Sequence, residues 1–422
     1  MKKKSIDILL LMLTFRLILV VIFSLIINPI NLNPGDIGFG FGDYIDSLVK
    51  YGEYKSCIID NGNSCLRYSR MPLLPFILAT GFLLMKNIYF IIAIKEAIFS
   101  IILYFSIKNL WYLLGKNSKF IIFILLFNPL LLKHLGTPHY EEFLLANLII
   151  LWFVYLLYSV YFIDDKYIYI LCLISSLLYL IKQTYITFIF FSFLFLFLRS
   201  FVLKKIFIIP LLILLIPIIL WAIWINYNGG NFYIGTSWDA ENLVRAIYPL
   251  QDKLFPEVSV DRVFDTYKFF GVDGSIYYND PIQSGLLPLQ KFSSENSWYL
   301  YYQNLANTIF RNNFSFEIIF ILKKLFYLLF GIHDKLRDPL ATPSMTIVGY
   351  LFMFYRFIFL SLIIKFIYTK GLIPGLLFMM CLLFLFSPLY LGWAHERHAT
   401  IFITGTSIFI VIYLSLFPLK YK

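Results

Sequence analysis

Four short polar segments interrupt an otherwise apolar chain, and each carries side chains that handle protons or anions. The first, FGDYIDSLVKYGEYKSC at 41–57, holds Asp43, Asp46 and Glu53, and is followed by Arg70 ahead of Pro72 and Pro75. The second, KHLGTPHYEEFLLANLIILW from position 133, sets His134, His139, Glu141 and Glu142 within nine residues. One of those acids serves the helix dipole at the start of an apolar run. Two acids and two histidines together also make a polar site, or ligands for a divalent metal, although such spacing alone does not specify one. The third, YLIKQTYITF, places Lys182 between two apolar stretches, where a lysine meets a lipid headgroup or a phosphate. The fourth, WAHERHATIF, carries His395, Glu396, Arg397 and His398.

The elements that position these residues read as membrane helices. Hydrophobic residues make up 60% of the 422, charged residues only 14%, and mean hydropathy is +0.80. Roughly 25% charged residues is usual for a soluble domain, and no single core absorbs this much apolar surface. Ten apolar runs occur near 6–30, 88–113, 119–135, 143–163, 167–181, 184–202, 206–226, 345–368, 371–391 and 399–418. Such runs predict an all-α polytopic membrane protein of about ten spans. The first run lacks a cleavage site of small residues and is expected to stay as an anchor.

Basic residues in the short loops set the orientation. Lys2–Lys4, Lys116 with Lys119, Lys166, Lys204 with Lys205, Lys370 and Lys420 with Lys422 fall on one side, which predicts cytoplasmic termini in a bacterial-type plasma membrane. The four chemical segments then share the outer face. Lys323 and Lys324 interrupt the run 317–331, so that segment is expected to lie in the outer interface with its lysines snorkelling rather than to span. The implied organisation is an N-terminal membrane module over 1–226 with an outer loop at 32–87, a structured outer region at 227–344, and C-terminal spans over 345–422.

Other features are less specific. The formal charge of +11 is accounted for by topology and anionic lipid, and no nucleic-acid motif is present. Tyr44, Leu48 and Tyr51 recur at helical spacing and predict an apolar face on the bilayer surface. Pro72 and Pro75 predict the start of a short helix. Cys57 and Cys65 share the first outer loop and form either a disulfide or two free thiols. Cys172 and Cys381 lie inside spans as small core residues.

In order and topology the chain resembles the multispan glycosyltransferases of the GT-C superfamily, such as the protein O-mannosyltransferases and the aminoarabinose transferases acting on lipid A. FGDYIDSLVKYGEY and SRMPLLP are similar to that family's G-D-x-x-Y, G-x-Y and R-x-P-x-x-P segments. Glu141 or Glu142 stands where the family has an acid, Lys182 where it has a Lys or Arg, and Arg397–His398 where it has R-Y.

The resemblance implies transfer of a sugar from a polyprenyl-phosphate donor to a glycan, lipid or protein acceptor. It casts Asp43 as general base and Glu141 or Glu142 as a carboxylate steadying positive charge. Lys182 and Arg397 would hold the leaving phosphate, and Arg70, Tyr44 and His395 would join the binding site. Trp238, Trp298 and Tyr299–Tyr302 would line the acceptor site, or form an interfacial aromatic belt. Two rival readings stand beside it: a flippase or transporter of a lipid-linked saccharide, for which Arg16, Lys95, Glu96 and Arg356 inside spans are the hints, and a surface-polysaccharide polymerase or ligase.

Overall fold

The computed structural model describes residues 7–22, 41–57, 65–86, 88–132, 141–162, 164–246, 292–312, 314–330, 343–391 and 396–417. Among them the chain is all-helical apart from one isolated antiparallel bridge between Ser56 and Leu66. In order the helices are α1 (Ile8–Ile22), α2 (Phe41–Tyr51), α3 (Leu73–Met85), α4 (Ile88–Leu113), α5 (Lys116–Leu126), α6 (Pro129–Leu132), α7 (Glu141–Tyr161), α8 (Asp165–Ile181) and α9 (Ile186–Leu203). There follow α10 (Ile208–Tyr227), α11 (Ser237–Ala246), α12 (Glu295–Asn312), α13 (Phe314–Phe330), α14 (Pro343–Lys370), α15 (Leu372–Leu385), α16 (Ser387–Leu391) and α17 (Glu396–Leu416).

Five helical segments are long and apolar enough to cross a membrane: Leu144–Tyr161, Gln183–Leu203, Ile208–Tyr227, Thr346–Lys370 and Ala399–Leu416. Among the described residues the other five apolar runs are also helical, but are shorter, broken or carry charges. Two breaks have a plain cause. A residue before proline is pushed out of the helical region, and proline has no N–H to continue the ladder. The run 119–135 therefore stops at Phe127, and Asn128 starts α6 by accepting a hydrogen bond from Leu130 N at 3.0 Å. The run 371–391 breaks at Phe386, two residues before Pro388, whose missing N–H cannot continue the ladder, and Ser387 starts α16.

The centre of the bundle is the pair α7 and α17. Gly405 permits their close approach, since a Cβ there would lie 2.6 Å from Cγ2 of Ile149. Lipid tails are as apolar as leucine, so close packing and polar ties between helices take over much of the work that the hydrophobic effect does in water. Trp152 Nε1 donates to Ser175 Oγ at 2.8 Å and Ser192 Oγ at 3.2 Å, which joins α7, α8 and α9. Asn128 Nδ2 donates to Thr404 Oγ1 at 3.0 Å.

Helix α10 contains Pro217, which leaves the carbonyl of Ile213 without its partner in the ladder. Ser176 of α8 supplies the missing donor at 2.7 Å. Three of the charges inside the bundle have partners, and a fourth, Arg356, lies 4.2 Å from the centroid of the Phe352 ring. Lys95 pairs with Glu96 at 3.0 Å, and Arg16 donates to Asn147 Oδ1 at 2.8 Å.

The two ends of the bundle differ. At one end lie the Asp165–Lys205 ion pair, the Ser118–Ser415 hydrogen bond at 2.9 Å and the hydrogen bond from Lys370 to the Phe417 carbonyl. Lys116, Lys119, Lys166, Lys204 and Lys205 gather there. At the other end α2, α3, α11 and α12 form a cap on α8 and α10, with a core of its own around Tyr44, Tyr54, Tyr68, Trp221 and Trp298. The cap draws on both sides of the division expected at 226/227.

Two expectations are corrected. The apolar face of α2 is not laid on a bilayer surface: Phe41, Tyr44 and Ile45 are buried in the protein, while Tyr51 is exposed. Lys324 of α13 does not snorkel. It is fully buried, and its Nζ donates to the carbonyls of Ala246 at 3.0 Å and Leu391 at 3.4 Å. Carbonyls at helix ends carry partial negative charge, which makes them natural acceptors for an ammonium.

Candidate functional site

The cap end brings together four charged side chains from four elements. Helix α7 begins at Glu141 and α8 ends before Lys182, so two antiparallel helices deliver their charges to one level. Lys182 and Glu141 form an ion pair at 3.0 Å and are largely buried, with side-chain exposures of 21% and 12%. This selects Glu141 of the two adjacent acids. The side chain of Glu142 lies outside the described residues.

Arg70 enters from the loop before α3. Its guanidinium lies over the ring of Trp238, 4.1 Å from the centroid, and 5.1 Å from that of Phe41. Aromatic faces hold a guanidinium while leaving its N–H edge unused. The Arg70 carbonyl accepts from the Tyr54 hydroxyl at 2.8 Å, but its guanidinium makes no hydrogen bond or ion pair with a described residue, and its Nε is buried without an acceptor. Glu141 and Asp239 are close enough to act on it electrostatically.

Asp239 is the fourth member, and sequence reasoning missed it. It lies in the first turn of α11, where Oδ2 accepts from Thr236 N at 2.7 Å and Oδ1 accepts from Gln183 Nε2. Gly235 makes room, since a Cβ there would sit 2.9 Å from Oδ2. Burial pushes the Asp239 carboxyl up to about 6, against the pull of Thr236, Arg70 and Lys182. The spacing T-x-x-D in TSWD is a helix-start signature that marks this acid, although not its neighbours.

A second buried carboxylate, Glu295, ties the cap together. It accepts from Tyr68 N at 3.2 Å, from Arg67 N and from Ser237 Oγ. One acid on α12 thus holds the loop before α3 and the start of α11. Burial outweighs these donors and pushes its carboxyl up to about 7. Ser294 and Ser297 cap α12 reciprocally at 3.1 and 3.0 Å, so Glu295 is not needed as a cap.

The remaining expected residues are distributed differently. Asp43 stands in the first turn of α2, half-buried, and accepts from Ser56 Oγ at 3.2 Å. No described residue links it directly to Lys182, Glu141 or Arg70. Ser56 is braced by the bridge to Leu66 and by the adjacent Cys57–Cys65 disulfide, which resolves the alternatives left by the sequence. Tyr44 is fully buried, shares a hydrogen bond with Ser69 Oγ at 2.9 Å, and so supports the fold rather than offering a ligand contact. Trp298 and Tyr302 are likewise cap core, while Tyr299 stacks on Tyr233 with centroids 4.2 Å apart. Of the aromatics expected to line a pocket, Trp238 holds a charged group, the Arg70 guanidinium.

His134, His139 and His395 lie outside the described residues, as do the side chains of Arg397 and His398. Among the described residues no three His, Cys, Asp or Glu side chains form a metal-binding group.

What results is a pair of cations, Arg70 and Lys182, flanked by Glu141 and Asp239 at the end of an apolar bundle. Such a set has the chemistry to receive an anion at Arg70, with the carboxylates limiting how much negative charge is welcome. The chain matches no protein-family model, no curated protein and no solved structure.

Proposed function

We propose that this chain is a polytopic membrane glycosyltransferase of the GT-C kind, moving a sugar from a polyprenyl-phosphate donor to an acceptor at the outer face of the membrane. The observation that carries the reading is Arg70: a guanidinium held on Trp238 with its hydrogen-bonding edge unspent, beside Lys182 at the end of an apolar bundle. A lipid-linked phosphodiester arrives there with its chain among the helices and its phosphate at the cations.

In the transfer, the bond from the anomeric carbon to the phosphate oxygen breaks and a bond to the acceptor oxygen forms. The electron pair leaves with the phosphate, whose growing charge Arg70 and Lys182 offset. The acceptor proton passes to a carboxylate. Asp43 fills that role on the resemblance to the family, and its half-buried place at the start of α2 keeps it reachable. Glu141 steadies positive charge on the sugar when Lys182 turns to the phosphate. Asp239 stands close enough to share that task.

The test is mass spectrometry of lipid-linked sugars and surface glycans in a strain lacking the gene, complemented with wild type, Asp43→Asn or Arg70→Ala. Accumulation of a polyprenyl-phosphate sugar with loss of one glycan decoration, restored by wild type but by neither variant, supports the transferase. A lipid-linked saccharide confined to the inner leaflet identifies a transporter instead. Shortened polymer on an unchanged lipid carrier identifies a polymerase or ligase.

A further inference from the structure

A second site lies at the opposite end of the bundle, where the transferase reading gives it no role. Helices α1 and α5, with Trp111 of α4, line a groove of about 660 Å³. Its walls are apolar: Leu11 and Phe15 on α1 are 60% and 51% exposed, and Phe120 on α5 is 63% exposed. At its lip stand Lys116 and Lys119, in the first turn of α5.

The charges at this lip are unbalanced. Neither lysine forms an ion pair with an acid among the described residues, and Lys119 Nζ sits 5.6 Å from the centroid of the Trp111 ring. Asp7, at the start of α1, is occupied by the hydroxyls of Tyr104 at 2.6 Å and Tyr112 at 3.4 Å. Two ammonium groups at a helix N-terminus oppose the dipole there. An anion at the lip relieves both the dipole and the mutual repulsion. The groove below offers apolar walls and almost no polar surface to anything that follows the anion in.

From this combination we infer that the groove binds one acidic glycerophospholipid of the bilayer, with its phosphate on Lys116 and Lys119 and an acyl chain along Leu11, Phe15 and Phe120. The volume suits part of a lipid chain, and the exposed walls open toward the surface that a bilayer would cover. The inference rests on the helices lying in a membrane and is independent of any glycosyl transfer at the other end.

The test uses the purified full chain in nanodiscs of phosphatidylcholine doped with brominated phosphatidylglycerol, and in a parallel series with brominated phosphatidylcholine. Quenching of tryptophan fluorescence is recorded for wild type and for Trp111→Phe, and the difference reports the groove. The Trp111 component should be quenched at lower mole fractions of phosphatidylglycerol than of phosphatidylcholine. Lys116→Gln/Lys119→Gln should lose that preference by about five-fold per lysine removed. Both lysines lie at least partly in solvent, so the double variant should keep its helical circular dichroism, and it is scored only against wild type of equal helicity. Equal quenching by the two lipids, or a preference that survives the double substitution, overturns the inference. A polyprenyl phosphate that displaces brominated phosphatidylglycerol at equimolar dose overturns the choice of a bilayer lipid as occupant.

Discussion

Glu141 and Lys182 face each other at 3.0 Å across the end of α7 and α8, each largely shielded from solvent. Removing one partner leaves the other buried and uncompensated, which is costlier than removing both. Lys182→Ala should lower stability by about 1–3 kcal/mol. Lys182→Ala/Glu141→Ala should recover part of that loss, measured as the thermal midpoint in detergent. Equal destabilisation by the single and double variants would show that the pair has no coupling.

Arg70 is held by ring faces, so charge alone does not replace it. Lys forms a compact point charge with no planar fork. Arg70→Lys should weaken binding of a polyprenyl-phosphate sugar analogue at least about ten-fold, with insertion and helicity unchanged. Trp238→Leu, which removes the platform but not the charge, should weaken it less. Calorimetric titration of the purified protein checks both.

Asp239 makes binding at this site depend on pH. Its carboxyl is held at about 6 by burial, above the ordinary carboxylate range. The folded state therefore binds this proton more tightly than the unfolded chain does. Its contribution to stability is greatest below pH ~4 and declines as pH rises toward 6. For an anionic ligand the sign is the same: protonation removes a neighbouring negative charge. Affinity for a phosphodiester, whose own charge is constant in this range, should rise on the order of five-fold as pH falls from 7.5 to 5.5. Asp239→Asn should flatten the profile.

The Cys57–Cys65 disulfide closes a short loop whose base is the Ser56–Leu66 bridge, and Ser56 in turn donates to Asp43. A closed loop of this length contributes about 2–3 kcal/mol in the chain-entropy account. Reduction, or Cys57→Ser with Cys65→Ser, should lower the melting midpoint and raise hydrogen exchange at 54–57 and 65–68. Exchange unchanged in both segments would show that the loop holds itself without the bond.

Much of the helical architecture is legible in hydropathy alone, because every apolar run is met by helix among the described residues. The breaks at Pro129 and Pro388 are legible too, from the residue chemistry of proline, but a hydropathy window averages them away. The site divides differently. Lys182 and Glu141 stand out because ionisable residues beside apolar runs are conspicuous. Asp239 and Glu295 do not, because they sit in polar stretches where acids are ordinary. Their importance comes from partners far away in sequence: Glu295 meets Arg67 and Tyr68, and Asp239 meets Gln183. The burial of Lys324 is hidden for the same reason, since its acceptors are carbonyls at the ends of other helices.

The bond from Ser176 to the carbonyl freed by Pro217 sets more than a bend. It fits only one turn of α10, so it acts as an index pin between two otherwise smooth apolar cylinders. Six residues beyond the pin, about 9 Å along the axis, α8 delivers Lys182. One turn beyond Pro217, Trp221 donates to the Gly235 carbonyl at 2.8 Å, just ahead of Asp239. The depth of a cation and the place of a carboxylate are therefore gauged from the same hydroxyl.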